Sequence, residues 1–212
     1  MIQSAANDVI VKIPTKYINN FSSIMKTAAI ENNSSVHLED LVNIKGEVVS
    51  MPRVITQDRT HESFTTNDIR VGDTAIFSFL VVYEFYQKEH MGEPLYKNLI
   101  TYKGEEYWKV DITRVYAVIR DEKIIMVNGY VMAKPFPEDK IVLQAGSKKT
   151  RGSKSSELMH IGYPRLGAKC IEAKDGDTIY YNPMKAAKYQ INDKPFIILQ
   201  QHQVLGRQTK SE

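Results

Sequence analysis

Three sets of residues in this chain of 212 have types and spacings that invite a chemical reading. Asp73 and Asp177 each stand directly after a glycine, Gly72 and Gly176, at the mouth of an apolar run. Carboxylates can serve as general acid or base, but an aspartate in a Gly-Asp turn entering a strand usually bonds its own backbone, and that is the simpler reading of both. The histidines His37, His61, His90, His160 and His202 are scattered, without an i, i+4 pair or a cysteine cluster, whereas a zinc site needs convergent ligands at short spacing. Cys170, the single cysteine, cannot form an intramolecular disulfide, and beside Ile171 it reads as a small core residue rather than a nucleophile. The stretch Gly146-Ser-Lys-Lys-Thr-Arg-Gly-Ser-Lys-Ser155 has the look of a phosphate loop. Its glycines are one residue too far apart, and serine precedes the lysine where the phosphate motif has lysine before Ser or Thr. No catalytic residue, metal or cofactor is therefore expected, and the chain reads as a non-enzyme.

A different chemistry, recognition, is suggested by the segment 138–156. It opens with an aliphatic triplet, Ile141-Val142-Leu143, and continues over 144–156 as a Gly-, Ser- and Lys-rich stretch with too little apolar content to fold alone, so it is expected to be mobile when free. Docking the triplet in an apolar groove would bury three side chains worth roughly 1.5–3 kcal/mol each, and ordering the loop would return much of that. One such hook binds weakly, but several presented together gain by effective concentration, about 10²-fold or more. The same triplet is equally well read as a β-strand. Lys140, Lys148, Lys149, Arg151 and Lys154 lie in this segment; without interleaved aromatic residues they favour a solvated loop or an acidic partner over nucleic acid.

The elements that must position these residues are short β-branched and aromatic runs bounded by Gly, Pro, Asn and Asp. Strands are expected over Val9–Ile13, Gly46–Met51, Thr74–Tyr86, Tyr107–Asp111, Val115–Arg120, Lys123–Ala133, Glu157–Ile161, Thr178–Tyr181 and Phe196–Leu205. The aromatic residues Phe77, Phe79, Tyr83, Phe85 and Tyr86 read as one side of a long hairpin, inner or subunit-facing. Near-helical spacing of Tyr17, Phe21, Ile24, Met25 and Ala28 allows one short helix or ordered loop over Tyr17–Ile30. The fold class is thus all-β. With 42% hydrophobic and 25% charged residues and a net charge of +3, the composition is that of an ordinary globular protein, long enough for two domains of about 100 residues. No apolar stretch reaches a membrane-spanning length and the first residues lack a signal-like or transit-like pattern, so the expected location is cytoplasmic, in a bacterium or phage.

An internal repeat organises the chain. Asn7–Pro14 matches Asn128–Pro135, Gly46–Ser50 matches Ser156–His160, Val71–Phe77 matches Asp175–Tyr181, and Arg114–Val118 matches Gln203–Arg207. The separations shrink steadily, as they must if the first copy carries longer loops. Copies are expected over 1–120 and 121–212, each closing as a barrel to remove its strand edges.

An opening strand, a long loop, a Gly-Glu-Val strand (Gly46–Val48), a Val-Gly-Asp turn (Val71–Asp73) and a closing Val-x-Ala-Val strand (Val115–Val118) together resemble the GroES-type co-chaperonin family, over about residues 7–207. The resemblance implies two tandem GroES-like barrels assembled as a homo-oligomeric ring, a GroEL-like chaperonin as partner, and Ile141, Val142 and Leu143 as its apolar mobile-loop tripeptide. In the first copy only Ile24-Met25 stands at roughly that place, and a long insertion occupies Tyr86–Tyr107. The alternative is a structural ring or connector of a phage particle, with other virion proteins as partners, built on the same barrel, because fold alone does not fix function.

Overall fold

The structure, a computed structural model, describes residues 2–4, 7–14, 44–53, 55–56, 63–64, 68–78, 81–82, 98–136, 154–161, 172–182, 186–191 and 194–209. The chain is mostly β, without a helix of seven or more residues among those described. It divides into two compact units, Met1–Asn128 and Gly129–Glu212.

In the first unit β1 (Asp8–Lys12), β2 (Lys45–Ser50), β5 (Thr74–Phe77), β6 (Leu99–Tyr102), β7 (Glu105–Asp111), β8 (Val115–Arg120) and β9 (Lys123–Met126) form one sheet in the order β6-β7-β1-β2-β5-β8-β9. A separate ribbon pairs β3 (Ile55–Thr56) with β4 (Ser63–Phe64). Alternate residues of the strands turn to one face, and that face makes the core: Val9 and Val11 of β1, Val48 of β2, Trp108 and Val110 of β7, and, on either side of a register shift at Tyr116, Val115 and Val118 of β8. Tight hairpins set the registers. Lys103-Gly104 between β6 and β7, and Asp121-Glu122 between β8 and β9, have positive φ at both central residues, the backbone that matches strand twist in two-residue turns.

In the second unit β10 (Tyr130–Pro135), β11 (Lys154–Ile161), β12 (Thr178–Tyr181), β13 (Ala187–Ile191), β14 (Lys194–Gln200) and β15 (Val204–Gln208) form a sheet in the order β13-β14-β10-β11-β12-β15. Its core gathers Val131, Ala133, Leu158, Ile179, Tyr181, Ile197 and Leu199.

The two sheets share strand order and register. Val9 faces Val110 as Val131 faces Leu199, Glu47 faces Thr74 as Glu157 faces Thr178, and Ala75 faces Val118 as Ile179 faces Arg207. A bulge falls opposite Ile10 and Val11 of β1, with Val49 the extra residue on β2, and opposite Met132 and Ala133 of β10, with Met159 the extra residue on β11. A one-turn 3-10 segment precedes the last matched strand in each, Ile112–Arg114 and Gln201–Gln203, tied back by Ile112 N–H to Asn7 O and Gln201 N–H to Gly129 O, both 3.0 Å.

The registers correct the first repeat pair by one residue: Val9 corresponds to Val131 and Lys12 to Lys134, so Asn7 corresponds to Gly129 rather than Asn128. A slip of one would exchange the two faces of the strand, and burial of Val9, Val11, Val131 and Ala133 fixes the choice. Three expected strands are shorter. Thr74–Tyr86 ends as a strand at Phe77; Val81 and Val82 are helical, and Phe79, Tyr83, Phe85 and Tyr86 lie outside the described residues, as does Tyr17–Ile30. Lys123–Ala133 is divided by a turn at Asn128-Gly129, both with positive φ. Phe196–Leu205 is divided by the 3-10 segment at Gln201–Gln203.

The candidate partner-binding segment and its base

The segment holding Ile141, Val142 and Leu143 joins β10 to β11, and these three residues lie outside the described part of the chain, as do Ile24 and Met25 on the connection from β1 to β2. What the structure describes is the base of each connection. In the second unit the chain leaves and re-enters the sheet at facing positions, Lys134 opposite Glu157 and Pro135 opposite Ser156. In the first unit the last facing pair is Lys12 opposite Glu47, the same Lys-Glu rung. Both excursions therefore start from neighbouring points on one rung, just beyond the matched bulge. The extra residue lies on the returning strand, Val49 on β2 and Met159 on β11, and a bulge bends the strand that carries it.

The bases differ in chemistry. In the first unit Lys12 Nζ lies 2.8 Å from Glu105 Oε2, which also accepts from the Tyr107 hydroxyl at 2.9 Å. The Lys12 hydrogen bond, followed by that of Tyr107, holds the Glu105 carboxyl below its ordinary range, and the same carboxylate raises both Lys12 and Tyr107. The facing positions on β14 hold Lys194 and Phe196, so the second unit lacks this cluster and instead carries Phe136, 44% exposed, directly after β10.

Below the rung the two sheets solve one packing problem in two ways. A Cβ on Gly46 would sit 3.2 Å from both Lys12 O and the Val11 side chain, and Phe77 fills the neighbouring core. The corresponding pair in the second unit is Ser156 and Tyr181, both buried, with their hydroxyls 3.0 Å apart. A buried hydroxyl needs a partner; here each supplies the other's.

Asp73 and Asp177 hold the turns that feed β5 and β12. Asp73 Oδ2 accepts the Arg70 N–H at 2.7 Å, and Asp177 Oδ2 accepts the Lys174 N–H at 2.9 Å. Gly72 and Gly176, both at φ +92°, donate N–H to Val48 O and Leu158 O at 2.8 Å, a conformation that favours glycine. Arg120 grips Asp73 with Nε on Oδ1 at 2.8 Å and Nη2 on Oδ2 at 2.7 Å, and also donates to Asp68 O. Arg207 reaches Asp177 only at 3.6 Å. Burial raises the Asp68 carboxyl, against the pull of Arg120. The aspartates are thus engaged with their own turns. Arg120 was not singled out by the sequence, since an arginine ending a strand gives no signal of the carboxylate it meets across the sheet.

His160 lies on β11 opposite Met132, and His202 is exposed in a 3-10 turn; His37, His61, His90 and Cys170 fall outside the described residues. Among the described residues no group of three or more His, Cys, Asp or Glu is placed to hold a metal ion, and no helix is long and apolar enough to cross a membrane. No family model matches the sequence, and no curated protein matches it closely enough to count as a relative.

Proposed function

We propose that the protein is a cytoplasmic, non-enzymatic co-chaperonin-like ring protein, of bacterial or phage origin, whose two β units each close as a GroES-like barrel. On this reading Ile141, Val142 and Leu143 dock in apolar grooves of a GroEL-like chaperonin, so that a client protein is enclosed while it folds. The observation that carries it is the matched Lys-Glu rung from which both units send a long connection between their first two strands, because a hook on a long loop with a fixed base can be presented repeatedly around a ring. Weak single hooks then add through effective concentration.

The test is gel filtration of the protein with a bacterial chaperonin and nucleotide, comparing wild type with a triple Ile141, Val142, Leu143→Ser variant. Co-elution of wild type and its loss in the variant support the proposal. Absence of binding by a folded wild-type protein overturns it. A second reading, a structural ring or connector of a phage particle, is favoured by the β3-β4 ribbon on the connection from β2 to β5. Such an embellishment suits a contact with a neighbouring virion protein, and this reading predicts assembly without chaperonin binding.

A further inference from the structure

The sequence joins asparagine to glycine once, at Asn128-Gly129, where the chain passes from the first unit to the second. An asparagine followed by glycine is open to a reaction within the chain, because a glycine nitrogen has no neighbouring side chain to keep it from the asparagine Cγ. The Gly129 nitrogen bonds to Cγ of Asn128, the Cγ–Nδ2 bond breaks, and ammonia leaves with the Gly129 proton, closing a cyclic imide. Water then opens the ring at either carbonyl and leaves aspartate or isoaspartate.

The fold holds this reaction off. Asn128 Nδ2 donates to Ile112 O at 2.6 Å and to Val115 O at 2.9 Å, which engages both N–H groups of the amide and ties it across the 3-10 turn that leads from β7 to β8. The backbone is held on either side as well: Val127 N–H donates to Tyr116 O and Gly129 O accepts from Gln201 N–H, both at 3.0 Å. Gly129 is buried and Asn128 half-buried. Attack needs Cγ turned onto the Gly129 nitrogen and Nδ2 free to depart as ammonia, so both hydrogen bonds must break, and water must reach the imide; these are events of local opening. The product does not fit where the amide was. A carboxylate only accepts, and here it would set its oxygens against those of Ile112 and Val115, which accept as well. Isoaspartate in addition routes the main chain through the side chain and lengthens it by a methylene.

We propose that Asn128 is a deamidation site which the first unit protects while folded, and that its conversion permanently unlatches the turn between β7 and β8. A chain that has stood open at this turn is thereby marked and loosened, and the change runs one way because nothing in the fold restores the amide. The proposal is independent of chaperonin binding and of ring assembly.

The full chain tests it. Samples are held at mildly alkaline pH without urea and at urea concentrations that span unfolding of the first unit, as read by the fluorescence of Trp108 in its core. After digestion, mass spectrometry follows the peptide containing Asn128, and enzymatic methyl labelling scores isoaspartate. The folded chain should convert about tenfold or more slowly than the unfolded one, since two hydrogen bonds must break first, and the rate should climb with the unfolded fraction. Gly129→Ala, measured in urea where its positive φ of 74° no longer matters, should slow conversion because a methyl crowds the attacking nitrogen. Asn128→Asp should lower the urea midpoint of the tryptophan transition. Should that variant not fold, the converted fraction of aged wild type, separated by the negative charge it gains, is unfolded in its place. Equal rates with and without urea, an unfolded chain whose Asn128 stays intact, a Gly129→Ala chain that converts as fast as wild type, or acid forms that unfold at the wild-type midpoint would each overturn the proposal.

Discussion

Replacing Arg120 with alanine probes how the first unit holds the turn into β5. Asp73 is 4% exposed and Arg120 21%, and the guanidinium supplies both oxygens of the carboxylate with a charged donor. Removing one partner of a buried pair costs about 3–5 kcal/mol, because the other charge is left in place; with a fifth of the arginine in water the expected loss is about 2–3 kcal/mol. At about 1–3 kcal/mol per molar of urea, the unfolding midpoint of that unit should fall by about 0.7–3 M. The chain's single tryptophan, Trp108, is buried in the first unit's core, so its fluorescence reports that unit selectively. The control is Arg207→Ala, where Asp177 is likewise buried but the contact is 3.6 Å long and the arginine 39% exposed; a long contact from a solvated arginine contributes about 0–1 kcal/mol. That variant should leave the tryptophan transition in place and barely move the far-ultraviolet one. If Arg120→Ala shifts its midpoint no more than Arg207→Ala does, the bidentate grip is not what secures the turn and the reasoning fails.

Two other outcomes follow from the same geometry. Gly46→Ala should destabilise the first unit by about 1–3 kcal/mol, since the new methyl meets backbone and a core valine at 3.2 Å; a urea titration followed by tryptophan fluorescence measures it. Lys12→Ala should move the Glu105 titration up toward the ordinary carboxylate range in an NMR pH series, because the lysine hydrogen bond is the largest cause of its lowering. The sign carries over to stability: a lowered carboxyl contributes above its unfolded pKa and loses that contribution as pH falls through the folded value, so wild type should lose its small advantage over the variant in acid.

Much of the fold was legible because β-branched alternation and Gly-Asp turns are local signals. Val9–Val11, Val115–Arg120 and Thr178–Tyr181 announce themselves by composition. β6 and β13 were not seen: Ala187–Ile191 has no run of β-formers, and both become strands by pairing with β7 and β14. Thr74–Tyr86 was read too long because a continuous apolar run looks the same whether it stays a strand or turns helical at Val81. The Asn128-Gly129 turn carried a signal that hydrophobicity on both sides outweighed. As for the candidate site, Ile141, Val142 and Leu143 lie outside the described residues, and the facing Lys-Glu rungs at the base of the connections depend on which strands pair, a long-range fact that no window of residues contains.

The paired exchange of Gly46 and Phe77 for Ser156 and Tyr181 bears on how a chain with two similar halves avoids confusing them. Tandem copies invite misassembly, with a strand from one half taken up by the other. Were β11 to settle in the first sheet, a serine in the place of Gly46 would press on Lys12 O and the Val11 side chain at 3.2 Å, and Phe77, at the position of Tyr181, has no hydroxyl to offer it. Were β2 to settle in the second, the buried Tyr181 hydroxyl would lose the oxygen it meets at 3.0 Å. Either exchange leaves a polar group stranded in an apolar interior, so these four residues give each strand an address inside its own half of the molecule.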